Sequence, residues 1–274
     1  MSIAELFHLP EGFKLKDSDA NRKLIGAAAA GQPDAKAVDK LQTLRIGEKI
    51  SDLQEIFVAA HAPKLLIILQ GMDTSGKDGT VKAVFGQVNP LGARTVAFKA
   101  PSNAEKDHDY LWRVHQEVPA KGEMVIFNRS HYEEVLIARV HDWITTAECE
   151  QRYAHICDFE RMLSETGTII LKFFLHISKD EQKSRLQERL ADPAKHWKFD
   201  PQDLAERAHW DAYQDAYERA LKATDTPYAP WYVIPSDSKT QRNLVIASIV
   251  LEKLESLKLS FPPGNPEFSK LKVE

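Results

Sequence analysis

Residues 65–70 read Leu-Leu-Ile-Ile-Leu-Gln, and the chain continues Gly71-Met72-Asp73-Thr74-Ser75-Gly76-Lys77-Asp78-Gly79-Thr80. An apolar run without alternation is what a strand needs when helices cover both faces of its sheet. The G-x4-G-K spacing between a strand and a helix marks a phosphate loop. Its glycines let successive backbone N–H groups converge on an anion, and the helix N-terminus adds positive potential. Gly71, Thr74, Ser75, Gly76, Lys77, Asp78 and Gly79 are therefore expected around phosphate, with Lys77 reaching the transferred group. Two carboxylates strain that reading. Asp78 stands where a Ser or Thr hydroxyl usually holds Mg²⁺. Asp73 would repel a polyanion unless a cation bridges them, so it is either a metal ligand or turned away to cap the turn.

The rest of the chain alternates. Apolar runs at Thr95–Phe98, Met124–Phe127, Ile169–His176 and Trp231–Ile234 alternate with helical stripes. From Pro33 a helix is expected, with Ile46, Ile50, Leu53 and Phe57 on one face. Leu111, Val114 and Val118 make another stripe; Ile156, Phe159 and Leu163 a third; Leu244, Ala247, Leu251 and Leu254 a fourth. Strand–helix alternation of this length predicts a doubly wound α/β fold with a parallel sheet flanked by helices. We expect one domain over residues 1–274. It comprises an N-terminal arm and helix over 1–62, the sheet, a charged helical lid insertion over about 178–225, and a Pro-rich terminal strap at FPPGNPEF.

Ligands in open α/β sheets sit beyond the carboxyl ends of strands. The segment after the third strand, Asn128-Arg129-Ser130-His131-Tyr132-Glu133, is thus expected beside the loop. Arg129 either forks onto phosphate or pairs with Glu133 while Asn-Arg-Ser caps the next turn; His131 adjoins the site. His108 and His115 are expected two turns apart on one helix. A metal pair wants i,i+4 and no Cys or Glu completes a site, so they read as polar surface.

Composition excludes several classes. A net charge of −4 gives no global case for nucleic-acid binding, and 43% hydrophobic with 28% charged residues rules out wholesale disorder or a fibrous repeat. No apolar run approaches the roughly 18 residues of a membrane span, so no membrane partner is expected. The start, MSIAELFHLPEG, lacks a basic segment followed by an apolar core, so no secretory leader is expected. Cys149 and Cys157 lie in a helix-like stretch, roughly 12 Å apart at helical rise. That exceeds the ~7 Å a disulfide tolerates, so the chain is expected in a reducing cytoplasm.

The motifs GMDTSGKDGT, FKAPS, FNRSHYEEVL, LADPAKHWKF and APWYVIP, in this order between about Lys64 and Leu257, resemble those of the family-2 polyphosphate kinases. The resemblance implies a P-loop kinase-like fold with a helical lid. It also implies Mg²⁺-dependent, reversible phosphoryl transfer between inorganic polyphosphate and nucleotides. Residue by residue, it implies that Lys77 is the loop lysine and Asp73 the carboxylate serving the metal. Arg129 would be the arginine after the third strand and Arg189 the lid arginine, with Arg185 a second candidate one turn earlier. Many members carry Asp where this chain has Asn128, which offers only a neutral oxygen, so Glu133 becomes a candidate second metal ligand. An Asn there resembles the branch accepting both AMP and ADP. A homo-oligomer is also implied.

The chemistry is consistent with that resemblance. A nucleotide phosphate acceptor is already ionised near neutral pH, so positioning and charge neutralisation by Lys77, Arg129, Arg189 and Mg²⁺ would suffice. Lys99, Lys106, Arg113 and Lys121 could extend a basic track beyond the lid bases, unless these belong to a solvated helix face. Trp197 or Trp231 could stack on a purine or pack internally. Alternatives are an ATP-dependent nucleoside or nucleotide kinase, against which Asp78 speaks, and a non-catalytic nucleotide sensor.

Overall fold

Alternation within β1 decides which layer each of its side chains enters. The computed structural model describes residues 2–61 and 63–273; Met1, Ala62 and Glu274, which the expected arm and domain ranges include, lie outside the described residues. β1 (Lys64–Gln70) is buried from Leu65 onward. Leu66 and Ile68 enter one apolar core, Leu65, Ile67 and Leu69 the other. Each buried Leu or Ile of this kind contributes roughly 1.5–3 kcal/mol.

β2 (Ala93–Ala97), β3 (Met124–Asn128), β4 (Thr168–His176) and β5 (Trp231–Pro235) complete a parallel sheet in the order β2-β3-β1-β4-β5. On one face pack α1 (Ala35–Ala60) through Ile50 and Phe57, α2 (Lys77–Phe85) through Val84 and Phe85, and α6 (Lys239–Ser256) through Val245, Ile249 and Leu254. On the other pack α3 (Thr146–Glu165) through Ile156 and Leu163 and α5 (Trp210–Thr224) through Trp210, Tyr217 and Leu221. The doubly wound expectation holds, and the strand order reverses at β1, so the crevice beyond its carboxyl end is where a ligand fits.

Local differences have local causes. The helix expected to carry both His108 and His115 is broken into Asn103–Lys106 and Trp112–His115. Asp109 accepts the Leu111 N–H through its side chain and the Trp112 N–H through its carbonyl, a turn that competes with helix. His108 stacks on Trp112, and His115 meets the edge of Phe159. β2 starts earlier than Thr95 because it is a half-exposed edge strand whose Arg94 binds Glu123, so apolarity does not announce its start.

The region after β4 is helical, with α4 (Lys179–Ala191), a 3₁₀ turn (Pro193–Lys198) and a short helix (Gln202–Ala208). α5, which the expected insertion includes, is a core element. The N-terminal arm lies along β5: the Leu9 N–H donates to the Trp231 carbonyl, and His8 bridges Tyr232 antiparallel. It covers a sheet edge that would otherwise stay open to pairing. In the expected strap, Phe261 and Phe268 are exposed.

Candidate active site

The turn from β1 into α2 can be understood by asking where its carbonyls go. Those of Gly71 and Met72 accept from Lys77 Nζ at 2.7 and 3.3 Å. That of Asp73 accepts from Gln182 Nε2 at 3.1 Å, and that of Thr74 from Arg185 Nη1 at 2.9 Å. Ser75 O accepts from both Arg185 Nη1 (3.3 Å) and Arg242 Nη1 (2.9 Å). The carbonyls of Asp73, Thr74 and Ser75 are thus held by α4 and α6, and those of Gly71 and Met72 by the lysine of the loop's own helix. The buried hydroxyls of Thr74 and Ser75 have no hydrogen-bond partner among the described residues. Buried donors without acceptors in a loop at a helix N-terminus are what an anion would satisfy.

Glycine is required at both ends of the turn. Gly71 has φ 153° and Gly76 φ 104°. A Cβ on Gly71 would sit 2.6 Å from the Leu175 carbonyl, and one on Gly76 only 1.8 Å from Arg242 Nη1. Thr74 (φ 64°) and Arg129 (φ 63°) are left-handed without being glycine, a conformation costing roughly 1–2 kcal/mol that persists where surroundings impose it. At Arg129 the imposing contacts are its N–H on the Leu69 carbonyl and its guanidinium on Asp73 at 2.6 Å.

Behind Arg129 lies a sealed ion network. Lys172, inside β4, donates to Glu160 (2.6 Å), the Tyr132 hydroxyl (2.8 Å) and the Thr224 carbonyl (2.8 Å). Glu160 also accepts from Tyr132 and sits 3.3 Å from His131 Nε2. His131 and Tyr132 thus anchor the 3₁₀ turn (His131–Val135) that follows Arg129. His131 acts there as a buried anchor.

The loop, β3 and the region after β4 enclose a cavity of about 500 Å³. Asp73, Lys77, Asn128, Arg129 and Arg189 all line it, so the structure brings these sequence-expected residues together; Thr74, Gly76, Asp78 and Gly79 share its wall. Burial, reinforced by Arg129, lowers the Lys77 ammonium to about 8. Glu133 and Asp73 hold Arg129 firmly charged against its burial. Asn128 Nδ2 donates to Asp78 at 2.6 Å, so the two positions that depart from the usual motifs are partnered with each other. Arg189 is held by Asp203 (3.3 Å) and the Lys198 carbonyl (3.0 Å).

Several expectations are corrected. Arg185 does not face the cavity. Its Nε donates to Glu181 and its other donors to the carbonyls of Thr74, Ser75, Ser236 and Asp237, so it clamps the loop from behind. Asp73 does not cap its own turn; its carboxylate pairs with Arg129. Glu133 does not line that cavity; it accepts from Gln70 Nε2 at 3.2 Å and lines a neighbouring cavity and, with Asp73 and Arg129, a small cleft beside the loop, with burial raising its carboxyl. Trp231 is sealed in the core with its Nε1 on Thr224, out of reach of any purine, whereas Trp197 is 78% exposed at the cavity rim. Lys121 precedes β3, at the opposite end of the sheet, while Lys99 lines the cavity. Arg113 is buried on the Lys99 carbonyl and Glu134.

Asp203 and Arg242 escaped sequence reasoning. Asp203 has no motif around it; in the fold its carboxyl is pushed up to about 6 by burial and by Asp73. Arg242 comes from the last helix, which the periodicity marks only as apolar.

The neighbouring cavity, about 440 Å³, shares Phe98, Lys99 and Arg129 with the first and has a mainly apolar wall including Pro101, Ile137 and Trp143. A larger hollow of about 640 Å³ between α3 and α5 lies away from the loop and offers none of these groups.

A family model described as Polyphosphate kinase 2 (PPK2) matches residues 34–262. The chain belongs to this family. The AMP/ADP-polyphosphate phosphotransferase of Meiothermus ruber is 51% identical over 268 residues, 97% of each chain. The ADP-polyphosphate phosphotransferase of Rhodopseudomonas palustris is 43% identical over 80% of each. The crystal structure of Polyphosphate Kinase 2 from Arthrobacter aurescens TC1 superposes with a TM-score of 0.90 at 44% identity, covering 97% of this chain and 93% of that one. The fold is that of the P-loop kinases within this polyphosphate kinase family.

Proposed function

We propose that this chain catalyses reversible phosphoryl transfer between inorganic polyphosphate and nucleotides, accepting AMP and ADP. The observation that carries the reading is the loop itself. The carbonyls of Asp73, Thr74 and Ser75 are drawn to the rear, and Thr74, whose hydroxyl has no partner among the described residues, lines a cavity that also holds Lys77, Arg129 and Arg189. The printed names of the relatives supply the substrate class. The adjoining apolar cavity has the size and wall for the nucleoside end, and Arg129 stands between the two.

Phosphoryl transfer asks chiefly for alignment and neutralised charge. Lys77 and Arg189 would bind equatorial oxygens from opposite walls, and Arg129 would align donor and acceptor. An ionised acceptor phosphate needs no base, which suits a site whose nearest carboxylates are engaged by Arg129 and Asn128.

The donor set bordering the cavity, the carboxylates of Asp73 and Asp78 and the Asn128 amide oxygen, suits a hard cation completed by phosphate and water. Among the described residues no three His, Cys, Asp or Glu side chains could hold a metal by themselves. Asp73, Asp78 and Asn128 are accordingly the residues that would hold Mg²⁺, which when bound supplies charge neutralisation on the transferred group.

The reading treats residues 1–274 as one domain in which residues 179–208 close over the phosphates. It extends to a homo-oligomer, supported by Val38, Leu41 and Leu44 exposed together on α1. A cytoplasmic setting is supported by two free thiols. No helix among the described residues is long and apolar enough to cross a membrane. The test mixes the protein with ADP or AMP, Mg²⁺ and long-chain polyphosphate in the absence of ATP. ATP formed from ADP, and ADP from AMP, is the expected result; turnover only with ATP and a separate acceptor would overturn the reading.

A further inference from the structure

Two guanidinium groups converge on one peptide oxygen at the rear of the loop. Arg185 and Arg242 both donate to Ser75 O, and both are almost fully buried, at 5% and 2% exposure. Arg185 has Glu181 for a counter-ion at 2.8 Å. Arg242 has none among the described residues; its remaining contacts are to the neutral Oδ1 of Asn243, at 3.1 Å from Nε and 2.9 Å from Nη2. A buried cation without a carboxylate is costly to keep. Burial and Arg185 lower it to about 9, which still leaves it charged at neutral pH.

The direction in which that charge acts follows from peptide geometry. In a trans peptide the C=O and the following N–H point opposite ways. Ser75 O faces Arg242, so the Gly76 N–H faces away from it, and Gly76 lines the phosphate cavity. Gly76 must be glycine because any Cβ would collide with this same guanidinium, which ties the loop's signature residue to Arg242.

We propose that Arg242 is a positioning residue whose uncompensated charge, transmitted through the Ser75–Gly76 peptide, strengthens phosphate binding in a cavity it does not itself line. Arg185 supplies the mechanical clamp and Arg242 the field. The proposal rests on the reading that this loop is the phosphate cradle.

The decisive variant is Asn243→Asp in the full chain. It places a carboxylate against Nε and Nη2 of Arg242, cancelling the charge without removing the side chain. Thermal unfolding should move up, because a buried cation gains a partner. Affinity for inorganic tripolyphosphate, measured by titration calorimetry without nucleotide, should fall roughly tenfold, as expected for losing one buried unit charge near an anion. Arg242→Gln should lose affinity similarly, whereas Arg242→Lys should stay within about threefold of the parent. A tripolyphosphate Kd for Asn243→Asp within twofold of the parent would overturn the proposal, as would equal losses in Arg242→Gln and Arg242→Lys. Lys77→Ala separates the two levels. If it leaves tripolyphosphate affinity unchanged, the cradle reading itself fails; if it weakens binding while Asn243→Asp does not, only the role of Arg242 fails.

Discussion

Arg185 and Arg189 lie one turn apart on α4 and have opposite surroundings. Arg185 is buried and directs all five of its N–H donors at Glu181 and at carbonyls of the loop and of the segment after β5. Arg189 reaches into the cavity, partly exposed, and is held by one carboxylate and one carbonyl. The first makes the floor of the site rigid; the second belongs to a wall that can exchange its contacts for phosphate oxygens. Proximity to a phosphate site therefore does not assign a basic residue to the ligand. Counting what its donors already hold does.

The sharpest way to break that contrast starts with the residue that joins floor and cavity. Lys77→Ala should reduce turnover by roughly 10³ while leaving the far-ultraviolet circular dichroism spectrum unchanged; a near-normal rate would remove Lys77 from the mechanism.

The two arginines should then separate. Arg189→Met is expected to cost about 10² in kcat with a melting temperature within a degree or so of the parent. Arg185→Met should leave buried carbonyls of Thr74, Ser236 and Asp237 without a donor, costing about 3 kcal/mol, or roughly 6–12 °C in thermal unfolding. Equal melting temperatures in the two variants would dissolve the distinction.

Protonation sharpens it further. Because the Lys77 ammonium is lowered to about 8, the cation that binds phosphate is present below that pH and lost above it. kcat/KM should hold level toward pH 7 and fall about tenfold per unit well above pH 8. In Lys77→Arg that break should disappear from the profile, since a guanidinium does not titrate there. The smallest effect belongs to the rim: Trp197→Ala should change KM by less than about threefold and leave stability unaltered, as its ring is largely in solvent.

How much of this was legible beforehand depended on whether the signal is local. β1 and β4 could be read from their apolar runs, because burial on both faces demands such runs whatever the rest of the chain does. The loop could be read because a turn of this shape needs glycine at Gly71 and Gly76. The helix expected through His108 does not form, because three apolar residues at helical spacing compete with an Asp109 turn that only side-chain hydrogen bonding reveals. Lys172 sits inside a strand expected to be apolar, and its partner Glu160 comes from a different element, so nothing nearby in the chain signals the pairing. Arg185, Asp203 and Arg242 fail for the same reason: what each touches is brought in from elsewhere by the fold.

The arm along β5 has a consequence for biosynthesis. Residues 7–13 leave the ribosome long before Trp231 and Tyr232, the strand they must meet. At roughly 5–20 residues per second, their apolar side chains Phe7, Leu9 and Phe13 wait tens of seconds at most for their docking site, during which a chaperone would find them available.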